Sequence, residues 1–374
     1  MEKVRFGIIG IGNIGIVHAK NLLGGKIENG VLSAICDIDP EKIEAVRKLD
    51  GGDKPVAFSD YKEMYKSGLI DAVIVAVPHY SHPQMTIEAL EAGIHAISEK
   101  PAGVYTKQVK EMNAAAEKAG VLFSMMFNQR TNCVYRKMRE MVQNGTIGDV
   151  KRINWIITNW YRPQSYYDSG KWRATWKEEG GGVLFNQCPH QLDLLWWILG
   201  MLPSRVRSFC HFGKWHDIEV EDDVTVYMEF PNGATGVFVT STADAPGTNR
   251  FEVLGDKGKL VVENDKLTAT LLEQSEREYN ATCTTGHGEP KSYVADVELD
   301  GQNPQHAGIL NNVANAILGI EPLFVDGKEG LNEVELMDSM LLSTWLDKTV
   351  ELPIDDDLYL SELSKRIATS KTRK

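Results

Sequence analysis

Over roughly the first 125 residues, short apolar runs alternate with stretches whose apolar positions recur at helical spacing. Val4–Ile9, Leu32–Cys36, Ala72–Val77, His95–Ser98 and Val121–Phe127 read as strands. Helices are predicted between them at Ile14–Leu23, Pro40–Leu49, Pro83–Ala92 and Thr106–Ala119. Strands that alternate with helices form βαβ units, whose parallel sheet is covered on both faces. The right-handed crossover rule then makes a doubly wound α/β domain the expected fold.

Beyond residue 130 the pattern changes. A helix is predicted over Asn132–Asn144, and Val150–Thr158 alternates apolar and polar residues in the manner of a half-buried strand. From Arg205 to Leu272 strand-like runs follow one another, separated by turns such as Pro231-Asn232-Gly233 and Gly255-Asp256-Lys257-Gly258. Consecutive strands without helices predict an α+β domain with a large, open, mostly antiparallel sheet. Helical spacing returns at Gln305–Leu318 and Gly330–Lys348. The expected division is 1–127 for the first domain and 128–374 for the second, with no internal repeats.

Composition narrows the class. The 374 residues are 43% hydrophobic and 25% charged, enough apolar material for two cores. A net charge of −12 argues against nucleic acid and anionic membranes as partners, since both need a basic footprint. Five basic residues, Lys365, Arg366, Lys371, Arg373 and Lys374, read as a solvated tail. The cysteines, 36, 133, 188, 210 and 283, are odd in number and scattered without a CxxC, which indicates neither a disulfide framework nor a thiolate metal site. With no uncharged apolar run of membrane-spanning length, a cytoplasmic protein is expected.

Gly10-Ile11-Gly12-Asn13-Ile14-Gly15 is a G-x-G-x-x-G sequence that follows an apolar strand and opens a helix. In that context the first glycine permits the tight turn, the second admits a pyrophosphate and the third allows close helix–strand packing. The N–H groups at the helix start are donors for the anion. The second strand ends at Asp37, placed to accept the ribose 2′-hydroxyl and to repel a 2′-phosphate. Ile38 beside it offers no compensating cation, so NAD is favoured over NADP, and residues 1–127 read as a Rossmann domain. Pro78, His79 and His82 follow the next strong strand and are expected to line the cofactor crevice, not a metal. His18, one turn into the first helix, is expected to pack or cap.

Two further segments carry candidate chemistry. Glu99-Lys100-Pro101 directly follows a strand, which aims Lys100 at the same crevice. The run from Glu179 through Gly180-Gly181-Gly182 to Asn186, His190 and Asp193 reads as a helix entered through glycines. The spacing of four sets Asn186 and His190 on one helical face. A metal at Cys188, His190 and Asp193 is disfavoured, because residues two apart on a helix do not face a common point. By itself His190 reads equally as a satisfied buried histidine.

The order of these motifs resembles the Gfo/Idh/MocA family of sugar and polyol oxidoreductases. The resemblance is carried by Gly10-x-Gly12-x-x-Gly15-x-x-His18, Glu99-Lys100-Pro101, Asn128-Gln129-Arg130, Gly180-Gly181-Gly182 and His190-x-x-Asp193, over roughly residues 4 to 350. It implies catalytic roles for Lys100 and His190, and cofactor contacts from Asn13, Ile14, Glu99, Lys100 and Asn128. It also implies a homodimer or homotetramer built through the open sheet. Many members carry aspartate where this chain has Asn186. Asparagine suits substrate orientation better than proton transfer.

The chemistry so implied is hydride transfer from a secondary alcohol to the nicotinamide, with His190 as base and Lys100 stabilising alkoxide charge, or the two roles exchanged. The stretch Trp160–Trp176 crowds six aromatics and two arginines into seventeen residues. Tyr161, Trp172 and Arg173 from this loop, with Lys100, Asn128, Asn186 and His190, form the expected substrate set for a sugar, glycoside or cyclitol ring. The loop reads alternatively as an arm against a neighbouring subunit. His306, at a late helix start, reads either as a pocket residue or as a helix-start residue. Two other functions fit the same motifs: a redox-neutral NAD-dependent glycosidase or lyase, and a non-catalytic NAD or sugar sensor.

Overall fold

The computed structural model describes residues 3–370. The chain divides into two compact units, Met1–Thr131 with Asn303–Val334, and Asn132–Gln302 with Glu335–Lys374.

In the first unit, β1 (Val4–Ile9), β2 (Gly30–Cys36), β3 (Val56–Phe58), β4 (Ala72–Val75), β5 (His95–Ser98) and β6 (Phe123–Met125) form one sheet. Its order is β3-β2-β1-β4-β5-β6, with every pair parallel. The helices between the strands are α1 (Asn13–Leu23), α2 (Pro40–Arg47), α3 (Tyr61–Lys66), α4 (Ser81–Glu91) and α5 (Thr106–Ala119). Burial on both faces explains why the strand sequences are continuous apolar runs: all four residues of β4 are buried. Local signals set the helix ends. Asp39 caps α2 by accepting from the Glu41 N–H ahead of Pro40, and Gly120 closes α5 at φ +67°. The strand order reverses between β1 and β4, and ligands of such sheets bind beyond the carboxyl ends of the strands at that point.

The second unit opens with α6 (Cys133–Gln143) and β7 (Val150–Ile157). Three helices follow: α7 (Gln164–Asp168), α8 (Val183–Asn186) and α9 (Pro189–Leu199). Then come β8 (Arg205–Phe212), β9 (Glu221–Glu229), β10 (Thr235–Ser241), β11 (Asn249–Gly255), β12 (Gly258–Glu263) and β13 (Lys266–Leu272). After α10 (Glu276–Thr282) and β14 (Ser292–Ala295), the chain crosses to the first unit for α11 (Gln305–Ile317) and enters α12 (Gly330–Trp345). It finishes with β15 (Val350–Glu351) and α13 (Asp356–Thr369).

The nine strands run β14-β13-β12-β11-β7-β10-β9-β8-β15, antiparallel except for β7 with β10. Inward residues alternate with outward ones. Trp155 of β7 is buried, stacked on Phe251 at 4.0 Å and edge-on to Phe238 at 6.2 Å.

One expected boundary is corrected. Residues 303–334 belong with the first unit, although the strand-rich texture before them placed everything after 127 in the second. The return is fixed by asparagines of α11: the Glu28 N–H donates to Asn311 Oδ1 at 2.9 Å, and the Asn29 amide to Asn315 Oδ1 at 2.8 Å. These side chains satisfy the turn that leads into β2. Of the five C-terminal basic residues, Lys371, Arg373 and Lys374 lie outside the described residues, while Lys365 and Arg366 pair with Glu362 on α13.

Candidate functional site

The glycine-rich turn of the first unit meets three separate constraints. Gly10 sits at φ +85°, and a Cβ there would lie 2.3 Å from the Ala76 carbonyl oxygen. A Cβ on Gly15 would lie 2.0 Å from the Gly10 carbonyl, so that glycine serves helix–strand packing. Gly12 differs: it has an ordinary φ of −79°, and nothing lies within 4 Å of the position a Cβ would take. No side chain caps α1, so its first-turn N–H groups, those of Asn13 and Ile14 among them, have no side-chain acceptor at the cap. Asp37 closes the turn, accepting from the Ile11 N–H at 2.7 Å and the Asp39 N–H at 2.9 Å. Ile38 is 91% exposed. An uncapped helix start, open space over the middle glycine and an aligned carboxylate together fit a dinucleotide.

Beyond β4 and β5 the predicted residues separate. Both ring nitrogens of His82 lie 2.7 Å from backbone carbonyls, those of Val77 and Pro101. Burial lowers its pKa against the pull of those carbonyls. His82 therefore ties two loops together, its ring set between their carbonyls. His79 is buried nearby, its ring 6.0 Å from that of His82. Glu99 is buried and occupied, with Oε1 2.7 Å from His18 Nε2 and Oε2 accepting the Lys100 backbone N–H at 3.2 Å. Burial alone would raise its pKa, but the His18 hydrogen bond and the pull of His18, His306 and Lys100 hold it down at about 2. His18 thus anchors a buried carboxylate through Nε2, a role beyond packing. Asn128 is buried and donates to Gln305, while its Oδ1 has no hydrogen-bond partner. An orphaned buried carbonyl suits an amide or hydroxyl donor from a ligand.

In the second unit, the segment expected to form one helix is two. Pro189 has no N–H to continue the ladder, so α8 ends at Asn186 and α9 starts anew. The shared helical face proposed for Asn186 and His190 is corrected accordingly. In α9, His190 and Trp196 are the residues that are not buried, so His190 is not sealed in apolar packing.

Asn186 is locked. Its amide donates to Glu179, and its Oδ1 accepts from Tyr166 Oη at 3.2 Å and from the Gln187 amide at 3.1 Å. Arg173 donates through Nη1 to Tyr166 Oη at 2.8 Å and lies 4.5 Å from the ring centroids of both Tyr166 and Trp172. Its Nε and Nη2, the side-on fork, hold no described partner. Glu179 also accepts from the N–H of Ala174, a buried residue at φ +54°. Tyr166, Gln187 and Glu179 were not among the expected site residues, and the doubled tyrosine at 166–167 was the available signal. Tyr161 is 50% exposed and joins none of these contacts.

The glycine segment is held from β9. Glu221, fully buried, accepts from the Gly182 N–H at 2.8 Å and the Leu184 N–H at 3.1 Å through one oxygen. Burial raises its pKa to about 7, its hydrogen bonds oppose the rise, and the charge of Glu179 adds to it. A Cβ on Gly182 would lie 2.0 Å from the Glu221 carbonyl, which is the local reason for glycine there. His216 clamps the aromatic loop, with Nδ1 3.0 Å from Asp222 and Nε2 2.8 Å from the Arg162 carbonyl. Among the described residues no group of three or more His, Cys, Asp or Glu stands where it could hold a metal ion. Among the described residues no helix is long and apolar enough to cross a membrane.

Comparison with known proteins agrees with this geometry. Residues 4–127 match the family model described as the oxidoreductase family, NAD-binding Rossmann fold, and residues 135–261 match the GFO/IDH/MocA C-terminal domain. The chain belongs to the GFO/IDH/MocA oxidoreductase family. Its first unit is an NAD-binding Rossmann domain. The chain is 29% identical to myo-inositol 2-dehydrogenase of Thermotoga maritima, over 73% of this chain and 80% of that protein. It is 27% identical to 1,5-anhydro-D-fructose reductase of Ensifer adhaerens, over 70% and 76%. Among solved structures, the WlbA dehydrogenase of Chromobacterium violaceum, in complex with NADH and UDP-GlcNAcA, superposes with a TM-score of 0.82 at 28% identity, covering 95% of this chain and 97% of that one.

Proposed function

We propose that this protein is an NAD-dependent dehydrogenase acting on a secondary ring hydroxyl of a pyranoside, anhydrosugar or cyclitol. The observation that carries the reading is the Asn186 array. An amide fixed by Glu179 and Tyr166 stands with an Arg173 fork that no acceptor among the described residues fills, in a chain whose first unit binds NAD. Such directional donors and acceptors flanked by aromatic faces suit a polyhydroxylated ring. Relatives named for inositol and anhydrofructose support a ring substrate.

NAD, when bound, supplies the hydride acceptor. Asp37 holds the ribose, and the α1 N–H groups hold the pyrophosphate. Lys100 and His190 are the proposed catalytic residues. The neutral imidazole of His190 takes the hydroxyl proton, and the Lys100 ammonium stabilises the developing alkoxide. Asn186 and Arg173, with Trp172, orient the ring, and Asn128 Oδ1 accepts from the nicotinamide amide or a substrate hydroxyl.

The test is NADH formation from NAD across methyl pyranosides, levoglucosan and inositols. Turnover with at least one of them, lost by about a hundredfold or more in K100M and H190A with NAD binding retained, is expected. No turnover in either direction, or sugar release without NADH, contradicts it.

We also place the homo-oligomer contact on the outward face of the nine-stranded sheet. The register aligns Phe209, Thr225, Val239 and Ile156 in one outward row, with Phe209 52% exposed.

A further inference from the structure

α11 starts at Gln305, which lies at φ +52°, and the next residue, His306, meets the face of the NAD unit. Its ring sits 5.4 Å from that of His18, with the planes at 73°. His18 is fully buried on α1, with Nε2 on Glu99, and Glu99 accepts the backbone N–H of Lys100. Residues from three separate stretches thus form one chain of contacts that ends at Lys100. His18 Nδ1 is buried without a hydrogen-bond partner. No hydrogen bond or ion pair joins either nitrogen of His306 to a described residue. His306 is thus an imidazole with no hydrogen bond of its own, set edge-on against the His18 ring of the buried His18–Glu99 contact.

We propose that His306 is a positioning residue for Lys100, acting through His18 and Glu99. The inference rests on the reading of Lys100 as catalytic. The ring edge of His306 fixes the plane of His18, so that Nε2 stays aimed at Glu99. The fixed carboxylate in turn holds the main chain of Lys100. Neutrality of His306 belongs to the device, because a cation there would compete with His18 and Lys100 for the one carboxylate. The groups that act on His306 are Glu99 and Lys100 beyond β5 and His18 on α1. Burial lowers its pKa, with Glu99 opposing and His18 and Lys100 reinforcing. A late helix that returns to the first unit thereby completes the surroundings of a residue far ahead of it in sequence.

The experiment uses the full chain with H306A and H306F, the latter keeping a flat ring edge without nitrogens. Imidazole ¹⁵N spectra read His18 directly and need no substrate. H306A is expected to shift the His18 ring-nitrogen resonances, and H306F to leave them near the wild-type positions. In the NADH assay H306A is expected to lower kcat about tenfold or more, with KM and the NAD dissociation constant within about twofold of wild type, and H306F to recover most of kcat. Unchanged His18 resonances in H306A overturn the proposal, whatever the enzyme turns over. A raised KM or weakened NAD binding with unchanged kcat overturns it equally. If wild type oxidises no sugar, the dehydrogenase reading fails while the spectra still decide the His306 contact.

Discussion

Two buried carboxylates in this chain are driven in opposite directions by their neighbours. Glu99 faces His18, His306 and Lys100 and is held at about 2, so it is ionised at neutral pH. Glu221 accepts only uncharged backbone donors and has Glu179 as its charged neighbour, so burial wins and its pKa rises to about 7. The stability consequences differ in sign. For Glu99 the folded pKa is depressed, so its contribution is present above the ordinary value of 4.5 and is lost as pH falls toward 2. For Glu221 the folded pKa is raised, so its contribution is complete below 4.5 and declines as pH climbs to about 7. E221Q retains an oxygen for the Gly182 and Leu184 N–H groups and cannot ionise. Thermal unfolding followed against pH is expected to show a flatter slope between 4.5 and 7 in E221Q than in wild type. E221A abandons two buried donors and is expected to lose roughly 1–3 kcal/mol. An identical pH slope in E221Q and wild type would remove the Glu221 account. Neither pairing was legible in the sequence. The motifs marked Glu99, His18 and the triple glycine, but not that His18 would meet Glu99, that His306 would add to its pull, or that Glu221 would hold the glycines, since these groups come together from distant stretches of chain.

At the level of elements, the glycine turn separates a folding requirement from a binding one. G10A places a methyl group against the Ala76 carbonyl in a left-handed backbone, so unfolding at markedly lower temperature is expected. G12A meets nothing within 4 Å among the described residues and should unfold near the wild-type temperature, yet bind NADH at least about tenfold more weakly, read by the fluorescence of the reduced nicotinamide. Wild-type NADH affinity in G12A would contradict the placement of the pyrophosphate. The sequence pattern located β1, β5 and α5 to the residue, because continuous apolar runs and a C-terminal glycine are strong local signals. It missed β3 and α3, three and six residues long, which are too short to show a period. It joined α8 to α9 because the spacing of Asn186 and His190 looked helical, although Pro189 between them was itself the visible breaker.

For the molecule as a whole, the change from alternating to consecutive strands was plain in the sequence. The return of 303–334 to the first unit was not, because helical periodicity does not say which sheet a helix covers. The outward row on the large sheet is the proposed contact between copies: wild type is expected to sediment as an oligomer and I156K combined with F209D as a smaller species, and a double variant unchanged from wild type would move the contact elsewhere. The proposed reaction moves one hydrogen from a ring carbon of the substrate to the dinucleotide. After a single turnover of the enzyme with NAD and a glycoside or inositol deuterated at its ring carbons, mass spectrometry of the recovered dinucleotide should find NADH carrying one deuterium. NADH formed without deuterium, or deuterated sugar returned intact from every substrate class, would contradict it.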